Sequence, residues 1–118
     1  MKRVLCIDDD ASVARLITEV VEFCGFNAIL EMDAMAAATN YIHDRQIVAV
    51  LTDLMMPKLD GIDVLTVWQQ NRPEVRRVLI TAAPQEHSIK DAVKQHTVQM
   101  VIAKPPSIAD IKMALAWL

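Results

Sequence analysis

The stretch Val48-Ala49-Val50-Leu51-Thr52-Asp53-Leu54-Met55-Met56-Pro57-Lys58-Leu59-Asp60-Gly61 decides the fold. Val48–Thr52 is apolar without alternation, the pattern of a strand covered on both faces. The run stops on a carboxylate, Asp53. Met56-Pro57 and Asp60-Gly61 follow, and both pairs are turn chemistry. Ile62, Leu65 and Trp68 then recur at helical spacing until Pro73 closes the segment. Strand, acidic end, turn and helix together make one β–α unit.

Four more units are written around it. Val4–Ile7, Ala28–Glu31, Val78–Thr81 and Met100–Ala103 read as further buried strands, rich in Val, Ile and Leu. In the first helix Val13, Leu16, Ile17, Val20, Val21 and Cys24 form an apolar stripe, ended by Gly25 as a glycine just past a helix does. An Ala-rich helix is expected over Asp33 to His43, with Asp33 as its N-cap. A fourth runs from about Glu86 to Lys94 on Ile89 and Val93. The fifth starts near Ser107 with Ile108, Ile111 and Leu115 inward. Five β–α units with right-handed crossovers predict an α/β fold, a doubly wound, five-stranded parallel sheet with five helices.

Composition bounds what such a chain can do. Its 118 residues suit one domain, 1–118, and 53% hydrophobic residues with a mean hydropathy of +0.26 supply a full core. Fifteen acidic against twelve basic side chains give a net charge of −3, which argues against a nucleic-acid-binding surface. No apolar run approaches the roughly 20 residues of a membrane helix. Asp8-Asp9-Asp10 follow too closely on Met1-Lys2-Arg3 for a secretory signal, so a cytoplasmic location is expected. Cys6 and Cys24 sit inside apolar patterns and make no disulfide framework. His43, His87 and His96 share no ligand spacing and read as surface residues. Trp117 falls off the stripe of the last helix; it either packs partly on the domain or marks a partner surface.

In open sheets of this kind ligands sit outside the carboxyl ends of the strands. Those ends carry Asp8-Asp9-Asp10, Asp53, Thr81-Ala82 and Lys104-Pro105. Asp10 has the chemistry of an N-cap for the first helix. Asp8, Asp9 and Asp53 brought together would repel unless a cation joined them. Oxygen-only donors that leave room for water suit Mg2+. Lys104 adds a fixed positive charge, and a carboxylate beside Mg2+ and an ammonium is a competent acceptor for phosphoryl transfer.

Val4-Leu5-Cys6-Ile7-Asp8-Asp9-Asp10, Leu51–Gly61, Leu79-Ile80-Thr81-Ala82 and Ala103-Lys104-Pro105 together resemble the receiver domain of bacterial response regulators, over essentially the whole chain. Asp53-x-x-Met-Pro-x-x-Asp-Gly is the most specific part. The resemblance implies a flavodoxin-like domain, acting in two-component signal transduction and phosphorylated on Asp53. The donor would be a sensor histidine kinase or a histidine phosphotransfer protein. It implies Asp9 as a direct Mg2+ ligand, Asp8 as a ligand through water, and the backbone carbonyl of Met55 completing the metal site. Thr81 and Lys104 would contact the phosphoryl oxygens, and a cis peptide would precede Pro105. Such a domain is not an enzyme in the ordinary sense, although it assists its own phosphorylation and dephosphorylation. The partners expected for the switched surface are a second copy of the domain (a homodimer) or an output domain.

Two positions depart from that family's pattern. An aromatic residue usually stands three residues before the lysine as a rotamer switch; here the switch position is Val101, which has one stiff χ1 and no ring. Pro106 replaces the bulky residue common after lysine-proline. These changes favour, as the alternative, a pseudo-receiver that signals as an interaction module without phosphorylation. A Mg2+-dependent hydrolase with an aspartyl nucleophile is disfavoured, because its Asp-x-Asp signature and cap are missing. Met55 and Ala83, two residues past Asp53 and Thr81, are apolar and predict slow loss of the phosphoryl group. Trp117-Leu118 closes the chain without a polar tail, which reads as an amino-terminal receiver of a longer protein.

Overall fold

The computed structural model describes residues 1–118. Its elements alternate as β1 (Arg3–Ile7), α1 (Ala11–Phe23), β2 (Asn27–Glu31), α2 (Ala34–Thr39), β3 (Ile47–Thr52), α3 (Gly61–Asn71), β4 (Arg76–Thr81), α4 (His87–Lys94), β5 (Met100–Ala103) and α5 (Ile108–Ala114). The strands pair in parallel in the order β2-β1-β3-β4-β5, the flavodoxin-like order of a doubly wound sheet. Chain direction across the sheet reverses between β1 and β3, so the carboxyl ends of those two strands flank the switch point.

Strand alternation sorts the core into two layers. Val4, Cys6, Ala49, Leu51, Val78, Ile80 and Ile102 face α1 and α5, meeting Ile17, Val21, Ile111 and Leu115. Leu5, Ile7, Val50 and Leu79 face the other way, onto Ala37, Leu65, Trp68 and Ile89 of α2 to α4. Each strand therefore needs apolar residues at successive positions, which is why Val48–Thr52 does not alternate. The two edge strands, β2 and β5, are the exceptions and are only partly covered.

Local signals place most helix ends. Asp10 caps α1 by accepting from the Ser12 and Val13 amides at 2.9 and 3.3 Å. Gly25 closes that helix at φ +95°, a conformation open to glycine. Ser107 and Asp110 form a capping box on α5. Other expectations need correction. α2 ends at Thr39 rather than His43. Leu16, Val93 and Ile108 lie off the buried faces of their helices, and Ala114 joins Ile111 and Leu115 inside. Trp117 is 99% exposed and packs on nothing. His43, His87 and His96 are all exposed, as expected.

Candidate functional site

Backbone pairing persists one residue past several strand ends, and from those residues the site hangs. The Asp8 amide donates to Glu31 O (3.2 Å), the Asp53 amide to Ile7 O (2.9 Å) and the Lys104 amide to Thr81 O (2.9 Å). Asp8, Asp53 and Lys104 are thus held as rigidly as the sheet while their side chains project beyond it. The Lys104-Pro105 peptide is cis, as the family resemblance implied.

The side chains converge. Lys104 Nζ donates to Asp8 Oδ2 at 2.9 Å and lies 3.1 Å from Asp53 Oδ1. One carboxylate oxygen from each of Asp8, Asp9 and Asp53 falls within a cluster no wider than 4.8 Å. Asp8 is buried at 1% exposure and Asp53 at 9%, whereas Asp9 is open to solvent. Backbone donors add to these contacts: Asp10 N–H meets Asp8 Oδ1 at 2.9 Å, and Leu54 N–H meets Asp53 Oδ1 at 2.8 Å.

Charge is unbalanced here. Three carboxylates face one ammonium. Burial, reinforced by the Asp8 charge, holds the Asp53 carboxyl above the usual carboxylate range despite Lys104 and the Leu54 amide. For Lys104 burial works downward, but hydrogen bonds and charge from Asp8 and Asp53 together lift it above the ordinary lysine value. A divalent cation fits this donor set, since hard oxygens in three carboxylates leave about two negative charges beyond what Lys104 offsets.

Residues 4–116 match the family model of the response regulator receiver domain. The chain belongs to that family. Among curated relatives, CpxR of Escherichia coli (strain K12), a transcriptional regulatory protein, is 35% identical over 86 residues, 73% of this chain and 36% of CpxR. The matched stretch thus spans about a third of that relative's length. The response regulator receiver protein CpdR of Brucella abortus (strain 2308) is 27% identical over 113 residues, 94% of this chain and 91% of CpdR. A receiver domain structure from Clostridium thermocellum superposes with a TM-score of 0.84 at 21% identity, covering 97% of this chain and 90% of the other. Receiver domains are regulatory phospho-acceptor domains of two-component systems, not enzymes in the ordinary sense.

The receiver fold brings together Asp8, Asp9, Asp53 and Lys104. Thr81 ends β4 at 1% exposure, with its Oγ1 accepting from the Ala83 amide at 3.0 Å. It is tied to Lys104 through the backbone rather than by a side-chain bond. Met55 stands two residues past Asp53 with its side chain 70% exposed. Val101 is half-buried, opposite Leu79 on β5 and against the α2–α4 core layer.

Two neighbours of Asp53 escaped the sequence reading. Thr52 Oγ1 donates to Asp53 O at 2.9 Å. Gly61 is the first residue of α3, directly after the Asp60 N-cap, and its φ is not positive. The positive φ in that loop belongs to Lys58, at 73°. A Cβ at position 61 would lie 2.0 Å from Asp53 O, so the absence of a side chain permits α3 to begin against the phosphoacceptor candidate's backbone.

Proposed function

We propose that residues 1–118 work as one receiver domain that accepts a phosphoryl group on Asp53 and changes a protein–protein surface in response. The observation that carries this reading is Lys104 Nζ lying within 3.1 Å of both Asp8 and Asp53 while Asp9 completes a three-carboxylate cluster. An Asp53 carboxylate oxygen attacks phosphorus as the P–N bond to the donor histidine breaks, and the imidazole leaves with the bonding pair. Asp8, Asp9, Asp53 and the Met55 carbonyl would hold Mg2+, with Asp8 acting through water. The ion would supply positive charge against that of the entering phosphoryl group. Lys104 exchanges part of its contact with Asp53 for a phosphoryl oxygen, and Thr81 turns its hydroxyl toward another.

The donor is a sensor histidine kinase or a histidine phosphotransfer protein, and the site of action is the cytoplasm. No helix is long and apolar enough to cross a membrane. The switched surface serves a homodimer or an output domain. Incubation with acetyl phosphate and Mg2+ is expected to add the mass of one phosphoryl group, with chelation preventing it. An unchanged mass with magnesium present overturns the reading.

A second reading rests on Val101. With no ring to swing inward beside Thr81, the face around β5 lacks the family's usual means of responding, which suits an interaction module that signals without phosphorylation. Equal partner binding or oligomeric state with and without acetyl phosphate would favour it.

The side chains flanking the acceptor bear on the lifetime of the acyl phosphate. Exposed Met55 and half-buried Ala83 offer no group to orient a hydrolytic water. Met55→Asn is expected to speed phosphate loss about tenfold, less than a fully positioned base supplies, because the side chain at 55 is loosely held. Release of inorganic phosphate from labelled protein measures it. An unchanged half-life would show that water is oriented elsewhere.

A further inference from the structure

We propose that Thr52 and Gly61 are positioning residues, a clamp on the backbone of Asp53 that sets the carboxylate's aim; the inference rests on reading Asp53 as the phosphoacceptor. Around this residue the chain is pinned at consecutive groups. The Asp53 amide donates to Ile7 O at 2.9 Å, and Asp53 O accepts from Thr52 Oγ1 at 2.9 Å. Leu54 N–H belongs to the same peptide as Asp53 O and donates to Asp53 Oδ1 at 2.8 Å. Leu54 O, one peptide on, accepts from Gly61 N–H at 2.8 Å.

Rotation of the Asp53–Leu54 peptide would therefore carry the Leu54 donor away from the carboxylate it orients. Gly61 opposes such rotation by contact as well as by its hydrogen bond. A Cβ there would stand 2.0 Å from Asp53 O and 2.9 Å from both Asp53 C and Leu79 Cδ1. Leu79 has a flexible end that can give way, but the Asp53 carbonyl cannot move without turning its peptide. The N-terminus of α3 is itself fixed by the Asp60–Asp63 capping box, with bonds of 2.8 and 3.1 Å. The strain of an added methyl group falls on residue 53. Met55, whose carbonyl is proposed as a metal ligand, begins at the next peptide and would shift with it.

The test uses Gly61→Ala and the near-isosteric Thr52→Val in the full chain. It reads three quantities: hydrogen exchange of the Leu54 amide by NMR, Mg2+ affinity by calorimetry, and acetyl phosphate labelling at saturating Mg2+. Gly61→Ala is expected to accelerate Leu54 exchange, weaken Mg2+ binding and slow labelling about tenfold to a hundredfold, the scale of an ångström-level misplacement. Thr52→Val should move all three the same way by a smaller factor. Folded variants with wild-type Leu54 exchange, Mg2+ affinity and labelling would overturn the clamp. Should Gly61→Ala fail to fold, Thr52→Val decides by the same measurements. A wild-type chain that binds Mg2+ but takes no label overturns the phosphoacceptor reading instead, while exchange and affinity still judge the clamp.

Discussion

Asp53→Asn is expected to abolish phosphoryl transfer and, in metal-free buffer at neutral pH, to melt at a higher temperature than the wild type. The first effect is chemical: an amide has the shape of the carboxylate but no anionic oxygen to attack phosphorus. The second follows from the cluster's charge. Asn places an oxygen where Oδ1 stands, so the bonds from Leu54 N–H and Lys104 persist while one of two buried, facing carboxylates loses its charge. Lys104 keeps its 2.9 Å bond to Asp8. Burial and the Asp8 charge raise the Asp53 pKa in the folded chain above its ordinary value of 3.8. A carboxyl raised on folding stabilises the protein less as pH climbs through the interval between its unfolded and folded values. Above the folded value the wild type carries that whole penalty and the variant none; below the unfolded value the two should converge.

Magnesium should narrow or invert the difference. The wild type offers three carboxylates and the variant two, so the wild type gains more stability at a given Mg2+ concentration. Thermal melts in chelator and in Mg2+, taken from acid to neutral pH beside intact mass, separate the two effects. Phosphorylation of the variant would place the acceptor elsewhere. Equal melting in chelator at neutral pH would mean that Asp53 is not held against Asp8.

Asp8, Asp53 and Lys104 were legible because each directly follows an apolar run, and parallel strands align such ends at one sheet edge. The topology did the rest: β1 and β3 adjoin, so carboxylates 45 positions apart in sequence meet. Gly61 was not legible for what it does. Beside Asp60 it reads as a turn glycine, and its real constraint is a backbone atom eight positions earlier. Thr52 looks like one more β-branched strand residue until its hydroxyl is seen on Asp53 O.

Helix faces were harder to read than helix positions. A 3.6-residue period admits Leu16, Val93 and Ile108 beside the true stripe, and α5 at seven residues is too short for its pattern to discriminate. The early end of α2 has a tertiary cause. Arg72, some 30 residues on, donates to the carbonyls of Ile42, Asp44 and Ile47 at 2.9, 3.0 and 3.2 Å, so the chain after Thr39 is satisfied without continuing the helix. A buried guanidinium serving backbone carbonyls has no local signature in the segment it organises. Arg77 does the same between β4 and the end of α4, donating to Pro73, Val75, His96 and Thr97 carbonyls.

Trp68→Ala is expected to cost more stability than any substitution at the acidic cluster. Its ring is fully buried among α2, α3 and the Leu5/Val50/Leu79 face of the sheet, and truncating such a side chain costs about 3–5 kcal/mol. Its Nε1–H also donates to Ala37 O at 3.0 Å, and a buried carbonyl left without a partner adds about 1–3 kcal/mol. Arg72, 6.0 Å above the ring, loses the face it covers. Against the roughly 5–15 kcal/mol that holds a domain together, that sum leaves a substantial unfolded fraction. Trp68→Phe keeps most of the packing and forfeits the hydrogen bond, so its loss should be well under half as large. Urea titration followed by far-UV circular dichroism gives both values. In the wild type, tryptophan fluorescence should change on unfolding through Trp68, since Trp117 is already in water. The cost also reaches the site, because α3 carries Trp68 in its second half and Gly61 at its start. Loosening the α2–α3 contact frees the helix end that bears on Asp53, so Trp68→Phe should slow labelling slightly even where it remains fully folded. A Trp68→Ala chain that unfolds at the wild-type urea midpoint would mean the ring's burial contributes little and that α3 is held by its capping box and Gly61 alone.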